Sequence, residues 1–561
     1  MAMLDVKGGN GDVPPACAGA RKPVAGRPVV RLETLHSDGG AKPIPQSAQQ
    51  ASTRVPEPCS RLPRKVSRLI FRAGFLAWPL ARPARSLVHP DMTRLPRLSR
   101  DQIRALAAPA VIAAACAVCL VVNLPGHLSY DSVLQLSQGR SGVYNNWHPP
   151  IMAWMLGVGD AVVRGTGLFT ALDILLLYGA LLALALLEPR GSWPAALVAL
   201  ALALTPGWLI YPGVVWKDVL FAAASAAGFA ALAHAAARWS DRRLRLALIA
   251  AAVLLLATAA LARQNGMAVL AVGLVTLAAI AARSNPGARL KAAVAYGGLT
   301  LLGAAAFMAA VTAGLETRSD GEPSRVYQLE DLQTYDLAAA LRIDPGLKLD
   351  RLHRVAPDLE RLIRTEGAAA YTPVRIDPIA GLPDLQKALF DTPPETMTRQ
   401  WRDLMVQHPF TYLKVRLTAF AWVLFTPDID TCVAVYVGAD GPAAVMAELG
   451  MPARMDARDE ALKAYGEGLM HTPLFSHAFY ALIGAAALVL LARRRRPADL
   501  AVAGMLLGAA AFTATFFVIS VACDYRYLYF PDVAAMAAAL YLAAGWRPNW
   551  PQRMKSPAAS A

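Results

Sequence analysis

Four polar clusters interrupt an otherwise apolar chain. Tyr130-Asp131-Ser132 is followed in the same loop by Trp147-His148-Pro149-Pro150; then come Trp216-Lys217-Asp218, Arg263-Gln264-Asn265 and Asp524-Tyr525-Arg526-Tyr527. Their residue types are chemically complementary. A carboxylate such as Asp131 can take the proton of an attacking hydroxyl. Fixed cations such as Lys217, Arg263 and Arg526 can stabilise the charge growing on a leaving anion, and the planar fork of Arg526 suits a phosphate. His148 either orients a substrate or serves as a structural neighbour of Pro149. Asp131 and His148 are the catalytic candidates; Tyr130, Gln135, Trp147, Lys217, Asp218, Arg263, Asn265, Asp524 and Arg526 are the candidate substrate contacts. For any one cluster a plainer reading exists, anchoring at the membrane surface, where Trp and Tyr settle and Lys217 can snorkel. Anchoring accounts poorly for a carboxylate and a His-Pro-Pro turn in one loop.

The elements that would position these residues are apolar helices. Of 561 residues, 56% are hydrophobic and only 17% charged, against about 25% charged in a soluble protein. Uncharged runs such as Ala105–Leu124, Pro473–Ala492 and Leu500–Cys523 are long enough to cross a hydrocarbon core of about 30 Å as helices, and only a helix can cross singly. The pattern predicts an all-α polytopic membrane protein with about ten transmembrane helices. Spans are expected near 105–124, 168–187, 192–210, 219–237, 246–262, 266–282, 292–314, 473–492, 499–521 and 532–546. The loop 125–150 joins the first span to a surface helix at 151–164, and a polar segment, 315–472, lies between the seventh and eighth spans. Within it the apolar stretch near 410–425 carries Lys414 and Arg416 and is expected to lie in the interface.

Charge sets the orientation. Arg94, Arg97, Arg100 and Arg104 precede the first span, and Arg242, Arg243 and Arg245, Arg283, Arg289 and Lys291, Arg493–Arg496, and Arg547 flank later ones. Placing all of these on the cytoplasmic side puts both termini in the cytoplasm and the four polar clusters at the outer ends of helices. The expected setting is therefore a bacterial inner membrane. The formal charge of +15 follows the same alternation, which argues against nucleic-acid binding. Residues 1–100 are rich in Pro, Arg, Ser and Gly without a sustained period and read as a disordered basic cytoplasmic region, with 547–561 as a cytoplasmic tail. Met92-Thr-Arg-Leu-Pro-Arg97 offers Met92 as an alternative start to Met1. Cys116 and Cys119 lie within the first apolar run and read as small helix residues. Cys432 and Cys523 both fall outside, in an oxidising compartment where a disulfide between them is open.

A first helix, an outer loop bearing Asp131, the Trp147-His148-Pro149-Pro150 turn and a surface helix together resemble the GT-C superfamily of membrane glycosyltransferases. That superfamily includes protein O-mannosyltransferases and the aminoarabinose transferases of lipid A. The resemblance extends over roughly residues 105–546, and Arg526-Tyr527 after the ninth span adds to it. It implies a polyprenyl-phosphate-linked sugar as donor, a glycan, lipid or protein acceptor, inverting transfer on the periplasmic side, and Asp131 as the acidic residue of the first outer loop. Many members carry two adjacent acids there. Here Ser132 follows Asp131, which leaves a divalent metal open.

Two other classes are consistent with a polytopic chain. A transporter or lipid flippase needs polar or broken helices near the midplane, whereas these spans are nearly free of ionisable groups, Asp173 being the main exception. Uptake into vesicles without bond formation would mark that class. A non-enzymatic envelope assembly protein would keep its function without Asp131.

Overall fold

The computed structural model describes residues 99–145, 147–321 and 324–546, and the backbone of a short antiparallel pair, Met3–Leu4 with Leu32–Glu33. The expectations for the basic N-terminal region, the Met92 start and the 547–561 tail lie outside the described residues. Elsewhere the chain is helical, as its composition predicts. The first half comprises α1 (Arg100–Asn123), α2 (Tyr130–Ser141), α3 (Pro150–Val162), α4 (Gly167–Ala185), α5 (Trp193–Ala203), α6 (Pro206–Leu209), α7 (Lys217–Ala237), α8 (Arg242–Ala262), α9 (Met267–Ser284) and α10 (Arg289–Glu316). A run of mostly short helices follows: α11 (Ser324–Ile343), α12 (Asp350–Val355), α13 (Pro357–Leu362), α14 (Ala368–Ala370), α15 (Asp377–Ala380), α16 (Pro383–Phe390), α17 (Pro394–Gln407), α18 (Pro409–Phe425), α19 (Ala443–Leu449) and α20 (Ala457–Leu469). The last three are α21 (His477–Arg494), α22 (Asp499–Ile519) and α23 (Tyr529–Ala544).

Nine helices among the described residues are long and apolar enough to cross a membrane, and a bent pair, α5 with α6, would make a tenth crossing. The bend is a departure from the unbroken span expected near 192–210. Pro206 has no N–H to continue the ladder and forces Thr205 into an extended conformation. The chain turns by 80° there. It then enters the turn Tyr211-Pro212-Gly213, which faces the candidate site.

Packing centres on α7, where 83% of the residues in its most apolar stretch are buried, against 11% in that of α10. Its Ala222–Ala226 run and Gly228 are small enough for neighbouring backbones to come close; a Cβ on Gly228 would stand 2.8 Å from Leu256 Cγ. The segment between α10 and α21 has an apolar core of its own, built from Tyr335, Leu341, Leu352, Leu385, Met397 and Leu404 among others. One buried cation fastens it to the spans. Arg416 on α18 pairs with Asp336 on α11 and donates to the carbonyls of Val518 (2.8 Å) and Ser520 (3.0 Å) at the end of α22. A disulfide, Cys432–Cys523, with Cα atoms 5.2 Å apart, provides a second fastening.

Candidate functional site

The loop after α1 is half helical, because Ser129 and Ser132 form a reciprocal cap at the start of α2 and Gly142 ends it in the left-handed region. Asp131 therefore sits in the first turn of a helix, where the backbone dipole favours a carboxylate. Backbone pairing brings this turn to the next cluster. His127 N donates to Gly213 O (2.8 Å) and Val215 N donates to His127 O (2.9 Å). Gly213 is required at that approach, since a Cβ would lie 2.3 Å from Asn123 Oδ1. The contact places Asp131 beside Lys217, the first residue of α7. His148 stands just before α3, whose entry Pro149 and Pro150 fix. The helix carrying Asp131, α2, and the helix that follows His148, α3, cross in van der Waals contact at Gly139 and Gly157; a Cβ on Gly139 would be 2.4 Å from Ala153 O.

Three of the four sequence clusters thus meet. Asp131 Oδ2 pairs with Arg526 Nη1 at 3.0 Å, and its Oδ1 lies 3.5 Å from His148 Nε2. His148 Nδ1 lies 3.0 Å from Lys217 Nζ. With the ammonium donating, Nδ1 accepts and the ring proton resides on Nε2, facing Asp131. Arg526 is held on its other side by Asp524, at 3.1 Å from Nη2 and 3.2 Å from Nε, and its guanidinium lies 4.9 Å from the centre of the Trp216 ring. Trp216 Nε1 in turn donates to Ser129 Oγ (2.9 Å), the cap of α2. Burial alone would raise the Asp131 pKa, but Arg526, His148 and Lys217 outweigh it and hold the carboxyl well below the usual carboxylate range. Burial and the Lys217 charge lower the His148 pKa, with Asp131 pulling the other way, which favours the neutral imidazole.

The remaining sequence candidates surround this network at different distances. Asp218 and Arg263 form a separate buried ion pair. The Arg263 guanidinium is 5.5 Å from the Phe512 ring and 5.4 Å from those of Phe516 and Tyr527. Tyr527 also lies 6.0 Å from Arg526, and so connects the two pairs. Asn265 Nδ2 donates to Thr515 Oγ1 (2.9 Å). Gln135, one turn beyond Asp131, donates to the Asp131 carbonyl (3.2 Å); its buried Oε1 has no partner among the described residues. Tyr130 is half-buried beside Asp131. Trp147 is exposed, and its carbonyl accepts from Gln328 on α11, which brings the segment between α10 and α21 to the rim of the site.

The residues do not fit a divalent metal in this arrangement. Both Asp131 oxygens are engaged, Ser132 Oγ donates to Val215 O (2.6 Å), and no group of three or more His, Cys, Asp or Glu side chains converges among the described residues. Sequence reading missed one supporting cluster. Tyr525, next to Arg526, donates through its hydroxyl to Asp532 Oδ2 (3.0 Å) and stacks on His477 at 4.1 Å. Asp532 also pairs with His477 Nδ1 at 2.9 Å. An Asp and a His at the ends of two apolar runs were the available signal.

No protein-family model and no curated protein matches the chain. Four solved chains show a likeness, three of them as follows. The archaeal oligosaccharyltransferase AglB from Archaeoglobus fulgidus, in complex with an inhibitory peptide and a dolichol-phosphate, is 13% identical over 78% of this chain and 50% of its own, with a TM-score of 0.35. The Archaeoglobus fulgidus oligosaccharyltransferase in complex with Zn and sulfate is 14% identical over 77% and 48%, with a TM-score of 0.33. ArnT from Cupriavidus metallidurans, bound to undecaprenyl phosphate, is 17% identical over 78% and 77%, with a TM-score of 0.33. The chain thus spans about half the length of the archaeal enzymes. At these scores the likeness assigns neither a family nor an activity to this chain.

Proposed function

We propose that this chain is a GT-C-type membrane glycosyltransferase that moves a sugar from a polyprenyl-phosphate donor to a periplasmic or lipid-linked acceptor. The observation that carries this reading is the single network formed by Asp131, His148, Lys217, Asp524 and Arg526, drawn from separate elements to the ends of apolar helices. By the charge rule those ends face the periplasm of a bacterial inner membrane. A lipid-borne phosphate arrives at that level. The cations Arg526 and Lys217 supply its contacts, and the N-terminus of α7 adds a positive dipole end.

The reaction follows from the pairings. In the resting site Arg526 holds Asp131 as a weak base. A donor phosphate competes for the guanidinium and so raises the basicity of the carboxylate when the donor is in place. Asp131 then takes the proton of the acceptor hydroxyl while its oxygen bonds to the anomeric carbon. The bond from that carbon to the phosphate oxygen breaks, and the electron pair leaves with the lipid phosphate, whose charge Arg526 and Lys217 stabilise. A single displacement inverts the anomeric centre. His148 keeps Lys217 and Asp131 aligned, and the segment with α11 caps the acceptor side.

The test is transfer from a small panel of radiolabelled polyprenyl-phosphate sugars by the purified protein in liposomes. Label moving from lipid to acceptor, lost with Asp131→Asn, is the expected outcome. Passage of a sugar or lipid across the bilayer without bond formation would refute the proposal in favour of a transporter.

A further inference from the structure

The helix α18 packs beside α22 and α21 and is not among the helices long and apolar enough to cross a membrane. It has 17 residues, and its charges sort to opposite sides. Arg416 is wholly buried and donates to the Val518 and Ser520 carbonyls, which sets α18 level with the last turn of α22. Phe420 meets Phe517 of α22, ring to ring, at 6.2 Å. Lys414 faces the opposite way and is exposed.

That outward face is apolar. Phe410, Leu413, Leu417 and Phe425 are all exposed, Phe410 at 85%, and they recur at helical spacing along one stripe. Together with Lys414, Thr418, Ala421, Trp422 and Pro427, all but Phe425 line a shallow groove. Water is an unfavourable neighbour for such a stripe. The adjoining surface of α22 is of the same kind, with Leu507, Val518 and Ile519 exposed, and α22 is long and apolar enough to cross a bilayer. The groove therefore continues an apolar wall at its end, and it carries one cation, Lys414, and one Trp, Trp422, the residue types that settle at a membrane interface.

We propose that α18 is a lipid-binding helix seated in the leaflet on the site side, its groove holding an acyl chain of an anionic phospholipid whose phosphate meets Lys414. Away from the groove α18 packs on the turn Tyr525–Leu528, so the helix itself stands between the bound lipid and the element that carries Arg526. The inference is independent of glycosyl transfer.

The test uses the full chain, with its other unpaired cysteines replaced, in nanodiscs containing phosphatidylglycerol. Spin labels go on Phe410→Cys, Leu413→Cys and Leu417→Cys in turn. Relaxation by oxygen exceeding relaxation by a water-soluble nickel chelate at all three is expected. A dominant nickel effect places the stripe in water and overturns the proposal; exclusion of both agents places a protein on it and does the same. Native mass spectrometry supplies the second arm. Lys414→Gln is expected to lower retention of phosphatidylglycerol about fivefold, the effect of one basic residue near an anionic surface, and unchanged retention would overturn the headgroup assignment. A failure in either arm leaves the transfer assay unaffected, so the two readings fall separately.

Discussion

Asp131→Asn separates the two tasks that the carboxylate performs. Asparagine keeps the size of the side chain, and its carbonyl can still accept from His148 Nε2, which lies 3.5 Å from Asp131 Oδ1. It cannot take a proton. Its amide also turns a donor toward Arg526 Nη1, which sits 3.0 Å from Oδ2 in the native pair. At an effective dielectric of about 20, the Coulomb attraction at that separation is about 5 kcal/mol. Desolvation of both ions offsets most of it, and the Asp131 side chain is 26% exposed, so a net of about 1–2 kcal/mol remains. In the resting enzyme that energy opposes a donor phosphate competing for Arg526. Removing it should tighten donor binding by about 5- to 30-fold, at 1.4 kcal/mol for each tenfold. Loss of the base should lower kcat by about 10²- to 10⁴-fold. The expected signature in the radiolabelled transfer assay is therefore a collapse of kcat with an unchanged or lower KM for the donor. A purely structural carboxylate would give the reverse, a raised KM with kcat largely kept. A kcat within a few-fold of wild type, in protein that inserts and accumulates normally, would refute the assignment of Asp131 as base.

Arg526→Lys keeps the charge and loses the two-donor fork, so transfer should fall, and Arg526→Ala should fall further, by about 10- to 100-fold for a charged hydrogen bond; a Lys variant equal to wild type in donor KM and rate would remove Arg526 from the site. Gly139→Ala should lower the thermal midpoint, at a cost of about 1–3 kcal/mol, because its Cβ would meet Ala153 O at 2.4 Å, whereas Gly179→Ala, which meets nothing within 4 Å, should not. Replacing Cys432 and Cys523 by Ser should destabilise the outer segment by about 2–5 kcal/mol and lower transfer, since Cys523 adjoins Asp524; labelling of both native thiols without reductant would dismiss the bond. Phosphatase fused after Arg496 should be inactive, and phosphatase inserted near residue 350 active, an active fusion at Arg496 being fatal to the charge-based orientation.

What the sequence makes legible depends on the range of the interaction. Hydropathy is a local property, and the helices crossing the bilayer fall close to the runs that predict them, as with α4 (Gly167–Ala185) for the expected 168–187 and α22 (Asp499–Ile519) for 499–521. Where a short signal opposes a long apolar run, the run hides it. Thr205-Pro206 is a standard break, yet it stands between Leu204 and the apolar residues of α6, and the expected span passes through it. α2 is hidden for the opposite reason, being too polar for hydropathy to register; only the spacing of Ser129 and Ser132 announces it. Residue type identifies Asp131, Lys217 and Arg526 as chemically able, but which carboxylate meets which cation is not local. Asp218, beside Lys217 in sequence, is paired with Arg263, while Asp131 takes Arg526 from the other end of the chain. Arg416 makes the same point from the opposite side. In the sequence it is a charge that disqualifies an apolar stretch from crossing a membrane. In the fold it is paired with Asp336 and bonded to the free carbonyls at the end of α22, so the residue that sets α18 apart in the sequence fixes its height against the spans. A charge in an apolar run is thus evidence of a partner elsewhere in the chain before it is evidence of solvent.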